Sequence, residues 1–301
     1  MTQTIKLSKE ELNKEYFVRG LVPEWDSKIE DFAKSSWQKR KETKKYENIP
    51  YGKNPRQVLD IILPKHVLKN APVLLFFHGG YWRMMDKSEF SFIANTMETS
   101  NAITVLANYR LLPDYNFDQI IEDSIKALSW VFKNIGEYNG DQNNIYVCGH
   151  SAGAQLAANA TVNSEKEVAG FIGISGVYDL EPIKNCFLND IKFLNDALVS
   201  QYSAKNTVPN YDCPALFVYG DKESNEFVRQ SEDQASFWNN SNNLAKCIKI
   251  KNSNHATIVE QLGSSKSEMH KLFQIFLNSN CLLYTSPSPR DMRRSRMPSS
   301  T

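Results

Sequence analysis

The chain has 301 residues, 41% of them hydrophobic, enough to bury a sizeable core in one α/β domain or two smaller ones. The formal net charge of +1 hides an asymmetry: residues 281–301 hold four Arg against one Asp, a net +3, leaving about 1 − 3 = −2 on the body. That balance excludes an electrostatic case for nucleic acid or an anionic membrane as partner.

The five cysteines (148, 186, 213, 247 and 281) lack paired spacing, so they read as reduced thiols rather than a disulfide framework or a zinc site. The first residues carry no apolar signal segment and no run reaches membrane-spanning length. A soluble cytoplasmic protein is the expectation.

Residues 8–45 are charged and helical in pattern. Ser8 with Glu11 makes a capping box, and Ile29, Phe32, Ala33 and Trp37 fall on one face after Asp26. Such a segment either covers a site or decorates the domain. A turn cluster from Tyr51-Gly52 to Pro55 follows, then a strand at 58–63 closed by Pro64. Residues 73–77 are a continuous apolar run of the kind buried on both faces of a sheet, leading into His78-Gly79-Gly80-Tyr81-Trp82. The next strand is 103–107, and Phe117, Ile121, Ile125, Leu128, Phe132 and Ile135 mark a long amphipathic helix.

Residues 145–148 form the strand on which the rest depends, because Gly149-His150-Ser151-Ala152-Gly153 and a helix-favouring Ala/Gln/Leu stretch follow it. This is strand–turn–helix with G-x-S-x-G. Side chains two before and two after the serine would collide with neighbouring backbone in so sharp a turn, so Gly149 and Gly153 carry none. The turn lifts the Ser151 hydroxyl out of the sheet and aims the Ala152 N–H at the place where an oxyanion would form. Further strands at 171–174, 215–219 and 247–250, with helices at 226–239 and around Met269–Leu277, complete an α/β pattern: a mostly parallel sheet with helices on both faces, in one domain over 1–280.

In such a sheet function collects at the carboxyl ends of the strands. Asp221 follows the strand 215–219, with Glu223 its nearest rival, and His255 follows 247–250. Serine, acid and histidine thus come in the chain order of the α/β-hydrolase arrangement. Of the other histidines, His66 and His270 read as surface, and His150 as pointing away from the nucleophile. Gly79 and Gly80 would let backbone N–H groups approach a substrate oxygen, with His78 bracing that loop.

At these residues the chain resembles the α/β-hydrolases, and within them the kynurenine formamidase (arylformamidase) group, near the hormone-sensitive-lipase-like esterases. The H-G-G-x-W loop is similar to that group's, as are Tyr219-Gly-Asp-Lys-Glu-Ser running into E-S-x-E-F-x-R-Q-S, Ser175-Gly-Val-Tyr-Asp-Leu, and the segment from Tyr51-Gly to Leu63. The resemblance covers roughly residues 15–278. It implies Ser151 as nucleophile with Asp221 and His255, and the N–H groups of Gly80, Tyr81 and Ala152 as oxyanion donors. The reaction it implies is hydrolysis of N-formyl-L-kynurenine in tryptophan catabolism, with a small-molecule substrate and neither metal nor organic cofactor. A small-acyl carboxylesterase using the same residues is the first alternative and a non-catalytic binding protein of the same fold the second. Where members of the group carry a bulky aromatic after the histidine, Ala256-Thr257 stand here, which implies a wider pocket. Residues 281–301 resemble no hydrolase segment and look like a translated sequencing-library adapter, so no function is read from their arginines.

Overall fold

The computed structural model describes residues 7–241 and 243–279; the adapter-like stretch 281–301 lies outside them. Eight strands form one sheet: β1 Lys45–Pro50, β2 Val58–Ile62, β3 Ala71–Phe77, β4 Ile103–Ala107, β5 Gly140–His150, β6 Gly170–Ile174, β7 Ala215–Gly220 and β8 Ala245–Ile250. Their order is β1-β2-β4-β3-β5-β6-β7-β8. The pairs β1–β2 and β2–β4 are antiparallel and every other pair is parallel. This is the mostly parallel α/β sheet that the alternation of apolar runs and amphipathic helices predicts.

Eleven α-helices are described: α1 Lys9–Tyr16, α2 Val18–Leu21, α3 Trp25–Glu42, α4 Ala94–Thr99, α5 Phe117–Asn134, α6 Ala152–Val162, α7 Glu181–Lys184, α8 Asp196–Tyr202, α9 Asn225–Asn240, α10 Thr257–Glu260 and α11 Glu268–Ser279. Burial follows the patterns that form them. The strands β3 and β4 are buried almost throughout, as continuous Val/Leu/Ile/Phe runs require, and α5 turns Ile121, Leu128 and Phe132 inward. No helix among the described residues is long and apolar enough to cross a membrane.

The chain runs from β3 to β4 on one side and returns to β5 on the other. Strand order therefore reverses between β3 and β5, and a crevice opens at their carboxyl ends, where α/β sheets place ligands. The oxyanion-type loop after β3 and the serine turn after β5 border that crevice.

Three differences from the sequence reading have physical causes. The strand β1 has no apolar alternation to announce it; it is a polar edge strand that closes the sheet. In α3 the buried stripe runs through Phe32, Ser36 and Lys39, while Ala33 and Trp37 face solvent. Trp37 lies five residues beyond Phe32, roughly 140° round the helix at about 100° per residue. His270, expected at the surface, is 7% exposed and bonds Thr96 and Thr99 at 3.3 Å each.

Candidate active site

The turn between β5 and α6 is as sharp as its glycines imply. A Cβ on Gly149 would lie 2.1 Å from the carbonyl oxygen of Gly153, and one on Gly153 would lie 2.1 Å from that of Phe77. Both approaches are impossible for any other residue. Ser151 itself takes φ 57° and ψ −126°, a conformation strained for a residue with a side chain. The strain is held by the Ser151 N–H, which donates to the Ile174 carbonyl of β6 at 2.9 Å.

That geometry delivers the Ser151 hydroxyl to His255, whose Nε2 lies 2.9 Å from Oγ. On the far side of the ring, Nδ1 lies 2.9 Å from Oε2 of Glu223. A carboxylate only accepts, so Nδ1 is the protonated nitrogen and Nε2 is free to receive the serine's proton. The Glu223 side chain is 1% exposed, and its other oxygen accepts from the Ser175 hydroxyl, which holds the carboxylate from the opposite side.

Asp221, which the sequence reading pairs with His255, does not reach it. Its N–H still donates to Ile250 in the β7–β8 ladder at 2.9 Å, and its carboxylate accepts from Ser253 N–H at 3.1 Å in the loop after β8. The backbone N–H groups of Asn252 and Ser253 hold this exposed carboxyl below the usual range. Asp221 is therefore a turn-capping residue. The chain leaves the ladder only after Lys222, whose N–H is taken by Ser253, and the next side chain, Glu223, is the one that enters the site. The E-S-x-E-F-x-R-Q-S motif begins at Glu223 itself; its first residue was the signal for the carboxylate that meets His255.

His150 also differs from expectation. Its ring packs on His255 at 4.7 Å between centroids and its Nε2 donates to the His255 carbonyl at 2.9 Å. Burial, reinforced by the neighbouring His255, pushes its pKa well down, so it stays neutral beside His255. Phe227 of α9 packs on the ring of His255 at 4.2 Å. His255 is thus gripped through the Glu223 carboxylate, its own backbone carbonyl and two rings.

In the loop after β3, Gly80, Tyr81 and Trp82 take φ of 105°, 49° and 57°. The N–H groups of Gly80, Tyr81 and Ala152 donate to no acceptor among the described residues. His78 braces this loop: it is wholly buried, its Nδ1 donates to Gly79 O at 2.7 Å, and Tyr109 stacks on it at 4.5 Å. Burial lowers its pKa to about 4. Trp82 anchors the other end, buried edge-to-face against Phe117 at 5.2 Å.

Ser151 and His255 open into a cavity of about 230 Å³. Gly80, Tyr81, His150 and Ala256 line its floor; Tyr16, Phe17, Val18, Trp25 and Phe32 line its roof. The N-terminal helices α1 to α3 therefore cover the site rather than decorate the sheet. Tyr16 fastens them. Its hydroxyl donates to Glu226 Oε2 at 2.8 Å and accepts from Gln230 Nε2 at 2.6 Å, and its carbonyl accepts from the Tyr81 hydroxyl at 2.7 Å. Arg229 grips both oxygens of Glu226, at 2.7 and 2.8 Å.

This architecture and geometry match known proteins. A family described as alpha/beta hydrolase fold matches residues 74–256, more than half of the chain. The kynurenine formamidase of Salmo salar is 27% identical over 227 residues, covering 71% of this chain and 76% of the relative. The isoprenylcysteine alpha-carbonyl methylesterase ICME of Arabidopsis thaliana is 32% identical over 155 residues, covering 47% and 36%. Among solved structures, esterase B from Lactobacillus rhamnosis superposes with a TM-score of 0.69 at 15% identity, covering 93% of this chain and 99% of that one. The chain belongs to the alpha/beta hydrolase fold family, and it is a hydrolase with kynurenine formamidases among its relatives.

Proposed function

We propose that this protein is a serine hydrolase of aryl formamides that converts N-formyl-L-kynurenine to L-kynurenine and formate. The observation that carries the reading is the continuous array Ser151–His255–Glu223 at the floor of a roofed, mainly apolar cavity. Similarity to the kynurenine formamidases of Salmo salar and Danio rerio over most of both chains supports the substrate class.

The chemistry follows from the positions of the atoms. His255 Nε2 takes the hydroxyl proton as Ser151 Oγ attacks the formyl carbon. The oxygen of that carbon becomes an oxyanion, received by the N–H groups of Gly80, Tyr81 and Ala152, which have no other acceptor to give up. Glu223 fixes the imidazole tautomer and stabilises its positive charge while the proton resides there. His255 then hands the proton to the aniline nitrogen as the C–N bond breaks. Water, deprotonated by the same nitrogen, attacks the formyl-serine, and formate leaves with Oγ reprotonated. The described cysteines are free thiols, three of them buried, which fits a reducing compartment such as the cytoplasm.

The test is a comparison of initial rates on N-formylkynurenine, p-nitrophenyl acetate and p-nitrophenyl butyrate, with a fluorophosphonate to label the nucleophile. The expected result is preference for the formamide and a single label on Ser151. Clear preference for butyrate would overturn the formamidase assignment in favour of a small-acyl carboxylesterase. No labelling at Ser151 would point to a binding protein.

A further inference from the structure

The cavity wall carries charge of one sign. No Asp or Glu stands among its described lining residues, whereas two arginines, Arg19 and Arg83, do. Arg19 is already spent: its guanidinium holds both oxygens of Asp26 at 2.7 Å each. Arg83 is different. Its Nη2 donates to the Leu188 carbonyl and its guanidinium lies 5.6 Å from the centroid of Phe193, so the head is fixed in place by a neutral acceptor and an aromatic face. Its Nε is buried with no partner, and it pairs with no carboxylate among the described residues.

A half-buried guanidinium without an ion pair is a poor structural choice, since desolvation weakens it and the charge of Asp190, which is itself paired with Lys9 at 2.9 Å, offsets only part of the loss. Its planar fork is matched to a carboxylate. Arg83 also belongs to the same loop as Gly80 and Tyr81, so an anion on Arg83 and a carbonyl over Ser151 would be held by one short segment, Gly80 to Arg83.

We infer that Arg83 is the specificity-determining residue of the pocket: it receives a carboxylate on the substrate, remote from the reacting carbonyl, and makes the enzyme selective for acyl-aryl compounds that carry a carboxylate over those that lack one. This rests on the formamidase reading for the formamide but not for the anion, which an ester substrate could equally carry. In N-formylkynurenine the anion is the amino-acid carboxylate. The adjoining ammonium finds no carboxylate on the lining, so the site selects the substrate through its negative end.

The experiment measures kcat and KM for the wild type and Arg83→Gln on four substrates: N-formylkynurenine, its methyl ester, an aryl ester bearing a carboxylate, and a neutral aryl ester. The substitution is expected to raise KM on the order of 10- to 100-fold for the two carboxylates, the range for a hydrogen bond to a charged group, and to leave the two substrates without a carboxylate within about twofold. Unchanged turnover of the neutral ester shows that the variant is folded. As a second measurement needing no variant, the wild type should prefer each carboxylate to its counterpart without one, and that preference should shrink as salt is raised. Equal losses on all four substrates, no loss on any, or a wild type indifferent to the carboxylate would each overturn the role of Arg83. Hydrolysis of the esters but not of the formamides would defeat the formamidase reading alone, because the ester pair still decides Arg83.

Discussion

The floor and the roof of the cavity are built by different means. The floor is backbone: glycines without room for a Cβ, a strained Ser151, and strand ends in fixed register place Ser151, His255 and Glu223 within hydrogen-bond reach of one another. The roof is side chains: helices α1 to α3 lie over the site and are tied down chiefly through Tyr16. Position enforced by backbone sterics has no adjustable part, whereas a roof held by a few side-chain bonds can vary without disturbing the chemistry below. Floor variants should therefore lower kcat, and roof variants should act mainly on KM and on stability.

The largest effect is expected at Ser151, the proposed nucleophile. Ser151→Ala should cut turnover of N-formylkynurenine on the order of 10⁶-fold if the array acts as a unit, with stability close to wild type, and rates normalised to total folded protein check it. Next is Glu223, the proposed acid: Glu223→Gln should lower kcat on the order of 10⁴-fold, because the amide can favour the wrong imidazole tautomer. If Asp221→Asn produced that loss instead, the floor as described would be wrong.

A third effect is on the pH dependence of stability. His78 is wholly buried, and its pKa falls from 6.5 unfolded to about 4 folded. Below pH 6.5 the unfolded chain binds a proton that the folded chain refuses. Stability is therefore complete above that pH and falls through to about pH 4, by about 3 kcal/mol from this group. Urea midpoints at pH 7.5 and 4.5 should show a drop to which His150 and His270, also lowered by burial, contribute with the same sign; His78→Gln should remove only the share of His78, and a drop unaltered by the substitution would place the titration elsewhere.

On the roof, Tyr16→Phe should cost about 1–2 kcal/mol by stranding Gln230 Nε2 and removing one of the two hydrogen bonds to Glu226 Oε2, the other coming from Arg229. It should raise KM several-fold with kcat nearly unchanged, which steady-state kinetics and thermal melts would separate. The smallest effect is expected from Asp221→Asn, within about twofold in kcat/KM, since an amide oxygen can still accept the Ser253 N–H.

What could be read from the sequence follows the same division. The serine turn was legible because its glycines answer a steric demand local to five residues. The sheet was legible because buried parallel strands must be apolar throughout. The acid was harder: Asp221 and Glu223 are two residues apart after one strand, and only the hydrogen bonds of Asp221 and Lys222 to Ile250 and Ser253 decide which side chain leaves the ladder facing the histidine. The roof was harder still, because an amphipathic pattern announces a helix without naming what it packs on. Trp37 looked like part of the buried stripe and is 58% exposed, while Lys39 is buried through its 3.0 Å pair with Glu98. Arg83 was invisible as a recognition group, since its lack of an acidic partner is a fact about space.

One turn of helix α9 faces both ways: Phe227 packs on His255, while Glu226 and Gln230 on neighbouring positions grasp Tyr16. For anyone recombining such enzymes, this makes the N-terminal segment a poor cassette. A leader transplanted from a relative would meet a latch cut for a different key, and repairing the latch means editing the turn that also steadies the base. Exchange would succeed only if the leader and the 226–230 turn travel as a matched set.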